Sequence, residues 1–349
     1  MSISWGRLAR RKWANLSVAA AVAVGGAVIV SSGVSSASSQ ITIGFSQGIT
    51  LNSYHQVMFA SFEQAANTLK NEGKISGYSI ASANGNASTQ VSQINALILK
   101  HVSVLVIDPA SPSALNASIQ RATSAGIPVL VFNDGPVTTN AAYELNFNFA
   151  QMMKQEATYI AQRLHGKGNV LEVRGQAGTA SDVALHQGVI QGFKPYPGIK
   201  IVSSVYGNWD NSSTQSAVAK VLPSLPSIAA EIDQGGETYG AIQAFLSGGR
   251  SVPLVVFGNR GLDLKWWANY RKTHPSFTTE SASANPGIGS VVPYIAYHLA
   301  AKDVKVPKNM DMPVLWITQS TLSKYLNTPT GGVAHINYDD NWVKSNLLK

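Results

Sequence analysis

The residues of this chain able to do chemistry fall in short clusters, each just after an apolar run. They are Ser46-Gln47, Asn52-Ser-Tyr-His55, Asn133-Asp-Gly135, Arg174 to Thr179, Tyr206 to Asp210, Asp233-Gln-Gly-Gly236, Gly258-Asn-Arg-Gly261 and Ser283-Ala-Asn285. Amides, hydroxyls and aromatic rings dominate, with few carboxylates. Asn and Gln each offer a donor and an acceptor, and a carboxylate accepts from two hydroxyls. An aromatic face covers the apolar C–H side of a pyranose or furanose. Any one of these residues is as readily a turn former or helix cap. Their recurrence at successive run ends is what argues for a site, and the chemistry suits a small polyhydroxylated ligand.

Catalytic patterns are sparse. The chain has no H-E-x-x-H, G-x-x-x-x-G-K-[ST] or G-x-G-x-x-G. Ser181, Asp182 and His186 lie close in sequence, but on a helix Asp182 and His186 read as a surface i,i+4 pair rather than part of a triad. The seven histidines are scattered with no pair at metal-ligand spacing, so neither metal nor cofactor is expected. Gly175 to Gly178 reads as a turn before it reads as an anion cradle. Trp266-Trp267 are expected to pack into the core.

The elements that must position these clusters alternate. Strand-like runs at 41–45, 78–81, 102–107, 127–132, 142–146, 170–173, 199–205, 228–232, 254–257, 278–281 and 314–317 are separated by helical periodicity. The intervening helices fall at 54–69, 112–125, 150–164, 182–193, 213–222, 238–246, 262–270 and 288–299, with a further one begun by Ser88 or Thr89. Such alternation demands crossover connections, hence α/β architecture with parallel sheets covered on both faces. A single sheet of that many strands would be unusually large, so two doubly wound lobes are expected. Ligands bind such sheets beyond the strands' carboxyl ends. Residues 321–349 show no regular pattern.

Composition agrees with a packed protein. The chain has 349 residues, 45% hydrophobic and 13% charged, with no Cys, which excludes disulfides, thiolate metal sites and Cys nucleophiles. Of the net charge of +8, Arg7, Arg10, Arg11 and Lys12 account for four, leaving about +4 spread thinly, so no nucleic-acid partner is expected. Those basic residues precede an apolar run from Leu16 to Val30 and a small-residue stretch from Ser31 to Ser39, the order of a secretory signal, with Ser35 and Ala37 suited to the cleavage site. A run of that length falls short of the ~30 Å hydrocarbon core, though an uncleaved anchor remains the alternative. The mature chain is expected in a bacterial periplasm.

At these loops the chain resembles the type I periplasmic sugar-binding proteins of ABC importers, the ribose- and galactose-binding group. The resemblance spans Ile41 to about Thr318. It rests on Asn52-Ser-Tyr-His55, Ile94-Asn-Ala-Leu-Ile-Leu99 ahead of Val104-Leu-Val-Ile-Asp-Pro109, Gly126-Ile-Pro-Val-Leu-Val131 and Gly166-Lys-Gly-Asn-Val170. It continues in Tyr196-Pro-Gly-Ile-Lys-Ile-Val202 before Asn208-Trp-Asp210, and in Asp233-Gln-Gly-Gly236 with Gly240-Ala241. It implies a signal peptide at 1–37, one lobe from 41–147 with 286–312, a second from 148–285 with 313–320, and a tail at 321–349.

The resemblance also implies that Ser46, Asn52, Tyr54 and His55 line the first lobe's side of a cleft, with Tyr54 against a sugar face. Asn133 and Asp134 would bond ring hydroxyls, Trp209 would supply the opposing face, and Gln234 and Asn259 further polar contacts. Asn285 or Ser283 lies near the last crossing. Ribose-type members carry an Arg after the Gly-Thr loop, where His186 is the nearest match, and usually Asp where Asn133 and Asn259 stand, which argues against ribose itself. The implied function is a monomeric, non-enzymatic binding protein delivering a monosaccharide or polyol to an ABC permease. A sensory protein presenting a sugar or furanose to a chemoreceptor or kinase is the alternative, and an extracellular carbohydrate enzyme a further one. A sugar-responsive repressor would need an N-terminal helix-turn-helix, where a signal-like segment stands instead.

Overall fold

The computed structural model describes residues 40–49, 52–236 and 238–349; the export signal expected at 1–37 lies outside the described residues. The chain alternates from its start: β1 (Thr42–Gln47), α1 (Ser53–Asn71), β2 (Gly77–Ser82), α2 (Ala87–Leu99), β3 (Val104–Asp108), α3 (Asn116–Ser124), β4 (Val129–Asn133) and β5 (Tyr143–Phe147). It continues with α4 (Phe149–Arg163), β6 (Lys167–Arg174), α5 (Ala180–Phe193), β7 (Gly198–Tyr206), α6 (Asn211–Val221), β8 (Ala230–Asp233), α7 (Thr238–Ser247) and α8 (Gly261–Thr273). Then come β9 (Ser281–Ser283), α9 (Ile288–Ala301), β10 (Asn309–Met312), β11 (Leu315–Ile317) and α10 (Asp340–Asn346). The expected α/β class with parallel, helix-covered sheets is what forms.

The first sheet runs β10-β5-β4-β3-β1-β2, parallel throughout. Its inner strands are buried along their whole length, Val-Leu-Val-Ile-Asp in β3 and Val-Leu-Val-Phe-Asn in β4, as strands covered on both faces must be. Phe45 packs at a tilt against Phe62 and Phe132 in one core beneath α1 and α9, while Ile94, Leu105 and Val129 fill another under α2 and α3. The chain order reverses between β3 and β1, so the loops after these strands diverge and leave a crevice. The second set runs β7-β6-β8 in parallel, and isolated bridges at Leu254 and Phe257 carry it on to β9, which pairs antiparallel with β11. Residues 254–257, expected as a strand, are extended and bonded to both neighbours without forming a named strand.

Other departures have local causes. Residues 112–115 form a turn and α3 starts only at Asn116. Asn86 rather than Ser88 or Thr89 caps α2, accepting from the Thr89 N–H. β10 carries no β-branched run and exists because it adds to the edge of β5. The stretch 321–349 is built into both cores: Leu322 and Ala334 join the cluster around Trp267, and Val343, Leu347 and Leu348 join that of α1 and α9. His298, fully buried on α9, holds this end through Asp340 at 2.8 Å, its other ring nitrogen facing Asp303 just past the helix at 2.7 Å. Trp267 is buried against Phe257, as a core Trp should be.

Two glycines permit the helix contacts that support the sheets. A Cβ at Gly289 would strike the Met58 carbonyl of α1, and one at Gly188 the Ala150 carbonyl of α4. Gly289→Ala must push α9 off α1, a backbone clash that no rotamer relieves. Overpacking of this kind costs about 1–3 kcal/mol. Urea unfolding should show that loss, and an unaltered midpoint would mean the helices are not held at this spacing.

Candidate functional site

A cavity of about 270 Å³ lies where the carboxyl ends of the two sheets meet. From the first sheet and its loops come Ile49, Tyr54, His55, Ser111, Asn133 and Asp134, and from the second Gln176, Trp209, Gln234, Arg260 and Ser283. Phe149, Met152, Leu185 and Pro136 supply apolar wall. That volume lies at the small end of ligand sites, fitting a ring-sized guest.

On the first side, Asn52 caps α1. Its Oδ1 accepts from the His55 backbone N–H at 3.1 Å and stands 2.9 Å from His55 Nδ1. His55 Nε2 then points at Asp134 Oδ2, 3.3 Å away, and Asp108 Oδ2, 3.7 Å away. Asn133 ends β4 in the left-handed region at φ 73, which Asn tolerates. Its Nδ2 donates to Asp134 Oδ2 at 2.9 Å, and its Oδ1 accepts from Tyr54 Oη at 2.7 Å. Burial, then the Asp134 charge, pushes the Asp108 carboxyl well above the carboxylate range. Burial, followed by both these acids, does the same to the Tyr54 phenol.

On the second side, Asn208 and Trp209 both have positive φ, 56 and 54, a strained turn that presents the indole. The ring lies across Gly175, where any Cβ would meet it. Arg260 spans the gap: one guanidinium nitrogen donates to the Trp209 carbonyl at 3.1 Å, another to Ser53 Oγ at the start of α1. Behind it, burial raises the Asp233 carboxyl to about 6, with Arg260 and bonds from Thr238 and Gly235 opposing. Burial, then the Asp233 charge, raises Asp263 to about 7.

Tyr54, His55, Asn133, Asp134, Trp209, Gln234 and Ser283 thus come together around the cavity, whereas Ser46, Asn52, His186, Asn259 and Asn285 do not line it. Ser46 is buried under α2, its Oγ donating to Gln93. Asn52 serves its helix and His55. His186 faces Glu172 at 2.7 Å on the far side of α5, not the cavity. Nor does it pair with Asp182, which is buried and clamped by Arg174 through two bonds of 2.9 and 2.7 Å.

Asn259, at φ 62, donates to the Leu315 carbonyl and accepts from Ser281, so it closes a turn. Asn285 uses its amide on Ile336 and Gly287, fastening the C-terminal stretch. Gln234 does line the cavity, but its amide is committed to Gly175 and Asp182. Asp108 and Ser111 lie at the end of β3 and in the loop after it, where the strand-end rule applies equally and was the signal in the sequence for them. Arg260 lay in a cluster already singled out, beside the Asn chosen instead.

Two outcomes follow. Asn259→Ala should lower unfolding free energy by about 1–3 kcal/mol through its lost buried bonds, read in urea melts; full retention of stability would show the amide to be dispensable. Asp263, with its folded pKa raised, binds its proton more tightly folded than unfolded, so it subtracts stability as pH rises from about 4 through 7. Asp263→Asn should remove that decline from a pH series of melts, and an identical slope in the variant would refute the assignment.

Comparison with known proteins agrees with this geometry. Residues 43–272 match the family model described as "Periplasmic binding protein domain". A solved ABC transporter solute binding protein from Thermobispora bispora is 30% identical with a TM-score of 0.80, over 88% of this chain and 94% of that one. A xylitol-binding protein of Mycolicibacterium smegmatis is 30% identical over 179 residues, 50% of this chain; the chain spans about half that relative's length, 51%. A ribose import binding protein of Bacillus subtilis is 25% identical over 226 residues, 62% of this chain and 70% of the relative. The chain belongs to the periplasmic binding protein family, in the type I group of which that ribose import protein is a member.

Proposed function

We propose that this chain is an exported solute-binding protein that captures a monosaccharide or related polyol between two lobes and delivers it to an ABC importer, working as a single chain in the periplasm. As a member of a binding-protein family it is not an enzyme. The observation that carries the ligand class is the cavity itself. An indole and a phenol from opposite sides, with Asp134, His55, Ser111 and Gln176 between them, offer ring faces and hydroxyl partners in a small volume. Relatives named for xylitol and ribose support the same class.

The lobes proposed are 41–147 with 286–312 and 148–285 with 313–320. A guest touching both favours the closed arrangement by contacts that the open one cannot make. Arg260 adds to that preference, because its bond to Ser53 joins the two sides only when they meet. Among the described residues no helix is long and apolar enough to cross a membrane.

A thermal-shift screen of pentoses, hexoses, polyols and furanoses should yield a ligand that raises the melting midpoint. Calorimetry with that ligand should find Asp134→Ala and Trp209→Ala each about ten- to a hundredfold weaker, the cost of one buried partner. No shift from any class, or unaltered affinity in both variants, would reject the reading.

A further inference from the structure

We infer that His55, Asp108 and Asp134 form a binding site for one divalent transition-metal ion of the zinc class in the wall of the cavity. Among the described residues these three alone bring ligand atoms within 4.8 Å of one another in a group able to hold a metal. The imidazole is arranged as a ligand. Its Nδ1 stands 2.9 Å from Asn52 Oδ1, an acceptor fixed as oxygen by the capping bond it also takes from the His55 N–H. That nitrogen therefore carries a hydrogen, and Nε2 is the nitrogen that faces the two acids. An oxygen that takes the other ring hydrogen in this way is the usual companion of a metal-bound histidine. Asn133 plays the same part for the acids, donating to Asp134 Oδ2 at 2.9 Å and towards Asp108 Oδ1 at 3.5 Å.

Asp108 supplies the independent observation. The residue is fully buried, and its Oδ2, aimed at His55, has no hydrogen-bond partner. Orphaned carboxylate oxygens in an interior are costly, and a cation satisfies them. The spacing also discriminates. Where this chain sets a histidine directly against a carboxylate, the contact is tight: 2.7 and 2.8 Å at His298, 2.7 Å at His186. His55 Nε2 stands back at 3.3 and 3.7 Å. Neighbouring donors around a tetrahedral zinc with bonds of ~2.0–2.1 Å are about 3.3 Å apart, the spacing found between His55 Nε2 and Asp134 Oδ2. One imidazole and two carboxylates favour zinc or cobalt over calcium or magnesium, which prefer all-oxygen shells. His55 and Asp134 line the cavity, which leaves a coordination position open to it.

The sequence offers no hint of this, because His55 lies on α1 and Asp108 ends β3, and the two meet only because β1 and β3 pair. The inference does not rest on the sugar reading. Tag-free mature protein, dialysed against EDTA and then exchanged into chelator-free buffer, should take up one zinc per chain from zinc chloride, measured by elemental analysis after gel filtration. Asp108→Asn and His55→Ala should each weaken uptake by at least about tenfold, with circular dichroism confirming that they fold. Should either variant misfold, cobalt(II) titrated into the wild-type chain should give the intense visible bands of a tetrahedral site. No stoichiometric uptake, uptake indifferent to both variants, or an octahedral cobalt spectrum would overturn the site. Sugar affinity measured in EDTA tests the function separately.

Discussion

Parallel pairing is the constraint on which the rest depends. A strand that must re-enter its sheet in the same direction needs a crossover, and every crossover returns the chain to the same edge. Carboxyl ends of strands and amino ends of helices therefore accumulate on one side of each sheet. Here both sheets do this, and the two edges face one another. Tyr54 and His55 at the start of α1, Asn133 at the end of β4, and Gln234 just after β8 are neighbours for that reason alone, although they are remote in sequence.

Bringing so many polar groups together out of water sets a second demand, that each be satisfied. Much of the polar chemistry near the cavity answers that demand instead of contacting a guest. Gln90 bonds the carbonyls of Ser46 and Asp108 and the N–H of Ala110, fixing the crevice between β1 and β3. Gln234 does the same between Gly175 and Asp182. Asn133, Asn208 and Asn259 occupy left-handed positions at loop starts, where a short amide is tolerated and a β-branched residue is not. The residue types that suggest sugar recognition are thus also those that turn a chain sharply and repair its backbone. Only position separates the two uses.

Arg260 and the C-terminal stretch connect the halves. Arg260 reaches from the second side to Ser53, while residues 332–338 run beside Gly261, Asn259, Asn285 and Ser290 before α10 docks on α9. Residues 332–338 are irregular because their bonds to the rest of the chain go to loops and helix starts of both sides and not to a ladder. The stretch's apolar anchors, Val343, Leu347 and Leu348, are spaced closely enough to fill one gap beside α9 but too few to announce a helix.

The sequence by itself determined the class of fold and the region of the site. Local periodicity follows from which face of each element is buried, and strand ends are visible as the points where apolar runs stop. On those grounds Tyr54, His55, Asn133, Asp134 and Trp209 stand out, and the structure sets them around the cavity. The tertiary structure alone decided which side chains at those ends look inward. Asn259 and Arg260 are adjacent, yet one closes a turn on Leu315 and Ser281 and the other enters the cavity. It also decided that His186 would face Glu172, that 321–349 would complete two cores, and that His55 would meet Asp108. Each of these turns on the direction of a single Cβ or the packing of a distant segment. Such facts arise from long-range contacts that no local pattern encodes.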